Sequence, residues 1–272
     1  MNIIQRNLFH LLSAGAFDEK ATIEPMSPFK WRRLVQVVEA QNVTDSFAKS
    51  ITKYDGNPKL NLPDDVMHGL SLTVTNSEAR LNAQSAEQVR MHNYFLNRRL
   101  KRIVERELKD EESSIETLDL LELIIHNVNT ILNKGLSLDG VILLGTYLRR
   151  WGNKVDFIKL DSWLGRLRMK RMAQLQGSIL MEVFGFAQDE LPFVEKPERR
   201  ALKLVMAAVN NQASDSAEEW HFRQSQSGFV QNNSKAMRRN IHRSIRYYRY
   251  APLETISSLF GNIGKSLSEI EE

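Results

Sequence analysis

The stretch IETLDLLELIIHNVNTILNKG (residues 115–135) sets Leu118, Leu121, Ile125, Val128 and Leu132 three or four residues apart and closes on Gly135. That spacing puts all five on one face of an α-helix. A glycine just past the last turn supplies the left-handed residue on which helices commonly end. The same pattern continues on both sides. Upstream, Ile3, Ile4, Leu8, Leu11 and Leu12 share a face; Ser27-Pro28 is a helix start followed by the stripe Trp31, Leu34, Val35 and Val38; and a further helix runs from Thr44 to about Tyr54 before the breaker-rich loop 55–63. Residues 77–108 contain no proline or glycine and predict one long helix with Leu81, Val89, Phe95/Leu96, Leu100 and Ile103/Val104 turned inward. Downstream, helices are expected at about 139–150, 157–167, 169–184 (ended by Gly185), 197–212, 234–249 and 252–268.

With 13 glycines and 7 prolines in 272 residues, turn-formers are too scarce for a many-stranded fold, and LSLTVTN (residues 70–76) is the one weak strand candidate. The expectation is an all-α protein of about ten helices. It falls into two helical parts, 1–108 with its long helix and 115–272, separated by the polar KDEESS (residues 109–114). A hydrophobic content of 42% is ample for a packed core.

Several function classes are excluded at this level. There is no cysteine, hence no disulfide framework, thiolate metal site or cysteine nucleophile, which fits a reducing cytoplasm. The N-terminal segment is too polar for a secretory signal, and no apolar run reaches the roughly 18 residues of a membrane span. The six histidines (His10, His68, His92, His126, His221, His242) form no metal-ligand spacing, and no Walker loop, GxGxxG or GxSxG occurs. Neither metal nor cofactor is expected. Gly145-Thr146 followed by Asp156 superficially resembles the start of a nucleotidyltransferase motif, but that chemistry needs two acids one residue apart, and position 158 is Ile. Asp156 is expected instead to cap the helix that follows it. An unrecognised enzyme would need acids such as Asp156, Asp161, Asp189 and Glu190 to converge in one pocket.

Charge is uneven. The net +4 includes six Lys/Arg and no acid within KAMRRNIHRSIRYYRY (residues 235–250), so the rest of the chain stands at −2. On a helix, Arg239, Arg243 and Arg246 line one side and Arg238, His242 and Arg249 a neighbouring one, with Tyr247, Tyr248 and Tyr250 as flat groups able to stack on unpaired bases. Arg238, Arg239, Arg243, Arg246, Arg249, Tyr247 and Tyr248 are therefore the candidate anion- or nucleic-acid-binding residues. The competing and favoured reading packs Met237, Ile241, Ile245 and Tyr248 inward and leaves a solvated basic face paired with acids such as Glu218, Glu219, Glu269, Glu271 and Glu272. A second basic cluster, Arg98, Arg99, Lys101 and Arg102, is expected to be offset by Glu105 and Glu107 on the same helix. Trp220, in the polar segment 213–233, is a candidate anchor for a protein partner.

The block from Leu143 to Phe193, with Val155-Asp156-Phe157, Phe184-Gly185-Phe186 and Glu190-Leu191-Pro192-Phe193, resembles the helical region that follows the catalytic core in a family of uncharacterised bacterial nucleotidyltransferases of the polymerase-β-like superfamily. SPFKWRRLVQVVEAQNV (residues 27–43) and HNYFLNRRL (residues 92–100) are similar to the helices ahead of that core, and the basic 235–250 helix before Pro252 is similar to its C-terminus. Where the family carries its α/β catalytic domain, this chain has only KDEESS, so no catalytic residue is carried over. The resemblance implies a non-catalytic helical protein, similar to the flanks of such an enzyme, that acts by binding a protein partner or a second copy of itself.

Overall fold

The computed structural model describes residues 1–67, 89–109, 114–210 and 245–268, with side chains to residue 261. The protein is all-α, and among the described residues there is no strand. The expected segments 70–76, 213–233 and most of 234–249 lie outside the described residues, as does Leu81. Backbone contacts divide the chain into two compact units, one of Met1–Gln88, Leu138–Thr146 and Val205–Ser225, the other of Val89–Ser137, Tyr147–Leu204 and Gln226–Glu272.

In the first unit, α1 (Ile3–Phe17) begins at a reciprocal cap. The Asn2 side chain accepts from the Gln5 N–H, and the Gln5 side chain accepts from the Asn2 N–H. The helix stops where Asp18 turns left-handed at φ 60°. Leu8, Leu11 and Leu12 are fully buried, as their spacing requires. α2 (Pro28–Ala40) starts at the expected Ser-Pro and buries Trp31, Leu34, Val37 and Val38. α3 (Thr44–Lys53) lies so close to α1 that a Cβ on Gly15 would stand 1.7 Å from the Ser46 carbonyl oxygen. Only a residue without a side chain permits that approach. The connection between α1 and α2 is held by Asn7, whose amide donates to the Glu24 carbonyl (2.7 Å) and accepts from the Glu24 N–H (2.9 Å).

The second unit opens with a departure from expectation. Residues 89–93 are not helical, and α4 spans Tyr94–Glu107. The cause is long-range. The buried Glu254 carboxylate accepts the His92 and Asn93 backbone N–H groups and contacts His92 Nδ1, while Asn93 accepts from the Leu96 N–H and so caps the helix. Donors committed to a carboxylate and a cap cannot continue a helical ladder. With that start, Leu96, Leu100 and Ile103 face inward, whereas Phe95 is 72% exposed rather than buried.

α5 (Ile115–Asn133) is the hub, packing against α4, α7, α8 and α10. All five residues of its predicted stripe are buried, and so are Leu120, Ile124 and Ile131, so the helix is enclosed on more than one side. Gly135 (φ 99°) ends it, its N–H reaching back to the Thr130 and Ile131 carbonyls. α6 (Leu138–Trp151), of which Leu138–Thr146 belong to the first unit, passes into a short 3-10 turn, Gly152–Lys154. α7 (Phe157–Arg166) is capped by Asp156, which accepts from the Lys159 N–H at 2.9 Å, as expected. α8 (Lys170–Phe184) ends at Gly185 in the left-handed region. α9 covers residues 201–210, and α10 (Pro252–Ser268) brings Glu254 to the start of α4.

Candidate nucleic-acid interface

The residues singled out near the C-terminus fare unevenly. Arg238, Arg239 and Arg243 lie outside the described residues. Residues 245–247 are helical and 248–250 form a turn, which shifts the inward phase. Tyr247 and Tyr250 are buried at 1% and 2% exposure, while Ile245 and Tyr248, expected inside, are exposed. Tyr247 is thus a core residue and no stacking platform. Arg246 and Tyr248 face solvent, and Arg249 pairs with Glu198 at 3.8 Å. The proposed partners Glu218, Glu219, Glu269, Glu271 and Glu272 lie outside the described residues, as does Trp220.

The second basic cluster is where charge collects. On α4, Arg99, Arg102 and Arg106 recur at i, i+3 and i+7, and together with Ile103 of α4 and Arg166 at the end of α7 they line a shallow cleft of about 180 Å³. Four arginines line one opening, and their like charges repel one another, a repulsion that a bound anion would relieve. The expected compensation by Glu105 and Glu107 is not seen among the described residues. Glu107 is 6% exposed and points inward, where it binds Lys159 (2.7 Å) and accepts from the Ser114 N–H (3.0 Å). No ion pair between an acid and Arg99, Arg102, Arg106 or Arg166 occurs among the described residues.

The cleft is held in shape from both sides. The Arg99 guanidinium donates to the Arg166 carbonyl at 3.0 Å, a cation placed at the electronegative end of α7. Leu96, Leu100 and Ile103 anchor α4 beneath it, and the Glu107–Lys159 pair ties the far end of α4 to α7. The opening is smaller than the roughly 300 Å³ at which clefts begin to enclose a whole small molecule. Its size suits a phosphate group, and the planar fork of arginine matches phosphate oxygens two at a time.

Three of the four acids weighed for an enzyme are employed elsewhere, and Asp189 is exposed in the 3-10 turn Gln188–Glu190. Asp156 caps α7, Asp161 binds Lys170, and Glu190 binds Arg149 (3.1 Å) while accepting from the Ala187 N–H. Among the described residues no three His, Asp or Glu side chains are grouped to hold a metal ion. The Glu254–His92 contact resembles the orienting half of a catalytic triad, but the ring's other nitrogen, Nε2, meets Asn133 Nδ2 at 3.4 Å, and among the described residues no serine hydroxyl bonds to His92. No described helix is long and apolar enough to cross a membrane. No family model, curated protein or solved structure matches this chain.

Of the four cleft arginines only Arg99 and Arg102 belong to the basic cluster read from the sequence, where Glu105 and Glu107 stand at compensating spacing; Arg106 and Arg166 do not stand out there. The direction of Glu107 is decided by Lys159, 52 residues downstream. The readable signal was that Phe95, Arg99, Arg102 and Arg106 fall on one side of a helix.

Proposed function

We propose that this protein is a non-catalytic binding protein for a polyanion of the nucleic-acid type, gripping the phosphate backbone with Arg99, Arg102, Arg106 and Arg166. The observation that carries the reading is that four arginines line one cleft with no acid pairing them among the described residues. A sequence pI near 9.2 favours approach of the polyanion by long-range attraction. The test is fluorescence anisotropy with labelled oligonucleotides. The double variant Arg102→Ala/Arg106→Ala, both at exposed positions, is expected to keep the helical circular-dichroism spectrum and lose affinity more than tenfold. Unchanged affinity would remove the proposal.

The association suggested by sequence, with the chain pairing to a second copy of itself, has a separate observation in its favour. Leu253, Ile256 and Phe260 recur at i, i+3 and i+7 on α10, and all three are exposed, Phe260 at 69%. Light scattering across a concentration series tests it: self-association through this stripe predicts a mass that rises with concentration and falls to that of the monomer in Phe260→Ser.

A further inference from the structure

The arginine stripe on α4 does not begin at Arg99. Arg106 lies eleven positions beyond Phe95, and at i, i+4, i+7 and i+11 Phe95, Arg99, Arg102 and Arg106 lie within about 40° of one line along the helix, over about 17 Å of its length. Phe95 is 72% exposed, and Tyr94 beside it 71%. The two rings meet edge to face, with centroids 5.6 Å apart and planes at 79°, so each keeps a face open in a different direction. Neither ring contributes to the core, since Leu96, Leu100 and Ile103 fill that side of α4. The stripe therefore reads, from the helix start onward, as stacking groups followed by phosphate-binding groups.

That order discriminates between forms of nucleic acid. In a duplex the bases are already stacked on one another and only the phosphates face outward, so a protein ring beside the backbone finds nothing to stack on. In a single strand the bases are free, and a ring adjoining a cationic groove can take one while the arginines follow the backbone. Building on the polyanion reading above, we infer that the ligand is single-stranded nucleic acid, held by base stacking on Phe95 and Tyr94 and by phosphate contacts to Arg99, Arg102, Arg106 and Arg166. Arg98 and Lys101 on the flanks of α4 add positive charge, and Glu105 is the one acid on its outer side.

The experiment measures binding of oligo(dT), oligo(U) and a dA·dT duplex of the same length to the full chain and to Phe95→Leu, Tyr94→Leu and Arg102→Ala, at one low salt concentration. The expected result is that oligo(dT) or oligo(U) binds about tenfold tighter than the duplex. Phe95→Leu should remove about that factor for the single strand alone, and Arg102→Ala should weaken every form. Equal or tighter binding of the duplex overturns the inference, as does a Phe95→Leu variant that weakens both forms alike or neither. Those results leave the polyanion reading standing as long as Arg102→Ala still weakens binding. Absence of binding to all three, or indifference to Arg102→Ala, removes the polyanion reading itself. Leucine at exposed positions 94 and 95 keeps a good helix former there, and an unchanged helical spectrum verifies the fold before binding is read.

Discussion

Replacing Gly15 by alanine tests the closest packing in the structure. The added methyl would stand 1.7 Å from the Ser46 carbonyl oxygen and 3.1 Å from the Ser50 nitrogen, both backbone atoms of α3. An ordinary contact begins at 3.4 Å, so α1 and α3 must separate by about 1.7 Å. No rotamer change relieves a clash with backbone, which places the cost near the top of the usual range for overpacking, about 3 kcal/mol. Alanine returns about 1 kcal/mol of helix propensity, for a net loss of about 2 kcal/mol. At about 2–4 °C per kcal/mol for a chain of this size, the melting midpoint followed by circular dichroism should fall by about 4–8 °C. Gly152→Ala is the matched control. It has a helical φ of −56° and nothing within 4 Å of the new methyl, so it should gain about 0.4–1 kcal/mol. Gly177→Ala meets Val194 and Phe193 side chains, which can yield, and should fall between the two. A Gly15→Ala protein that melts at or above the parent would refute the packing of α1 on α3.

Glu254→Ala removes the acceptor of the half-buried His92 and Asn93 backbone N–H groups, at about 1 kcal/mol each, so chemical denaturation should show a loss of about 2 kcal/mol, and Glu254→Gln a smaller one; an alanine variant within about 0.5 kcal/mol of the parent would contradict the tie between α10 and α4. Glu122 has its pKa raised, chiefly by burial and then by the charge of Asp119. Because the fold binds its proton more tightly than the unfolded chain does, stability falls as pH rises through the carboxylate range. Glu122→Gln should therefore unfold at higher denaturant than the parent at neutral pH, and the advantage should shrink as pH falls towards the ordinary glutamate range and be gone below about 4; a constant difference across pH would contradict the burial of that carboxyl.

Much of this architecture is written in short-range pattern. The stripe of α5, the Ser27-Pro28 start, the Asp156 cap and the glycines at 135 and 185 each depend on residues within a turn or two of one another, and each lies where spacing places it. Where the pattern misleads, a distant residue has intervened. Residues 89–93 carry no breaker, yet Glu254, some 160 residues away, takes the backbone donors a helix would need. Glu107 is spaced to offset arginines on its own helix, but Lys159 draws it inward. At 245–250 the difference is local: the helix gives way to a turn at 248–250, and Tyr247 and Tyr250 are buried while Ile245 and Tyr248 are exposed. Arg99 and Arg102 stand out in the sequence, but Phe95 reads there as an inward residue, and that Arg166 closes the cleft is not legible, because nothing local to it specifies that the end of α7 meets Arg99 of α4.

The most direct test of the central claim is the salt dependence of binding to a single-stranded oligonucleotide. Four arginines neutralising about four phosphates predict a slope of log K against log salt near −3, equivalent to a loss of about fiftyfold between about 50 and 200 mM. The slope should fall by about half in Arg102→Ala/Arg106→Ala. A slope near zero, or one that the double variant leaves unchanged, would contradict a phosphate-binding cleft built from Arg99, Arg102, Arg106 and Arg166.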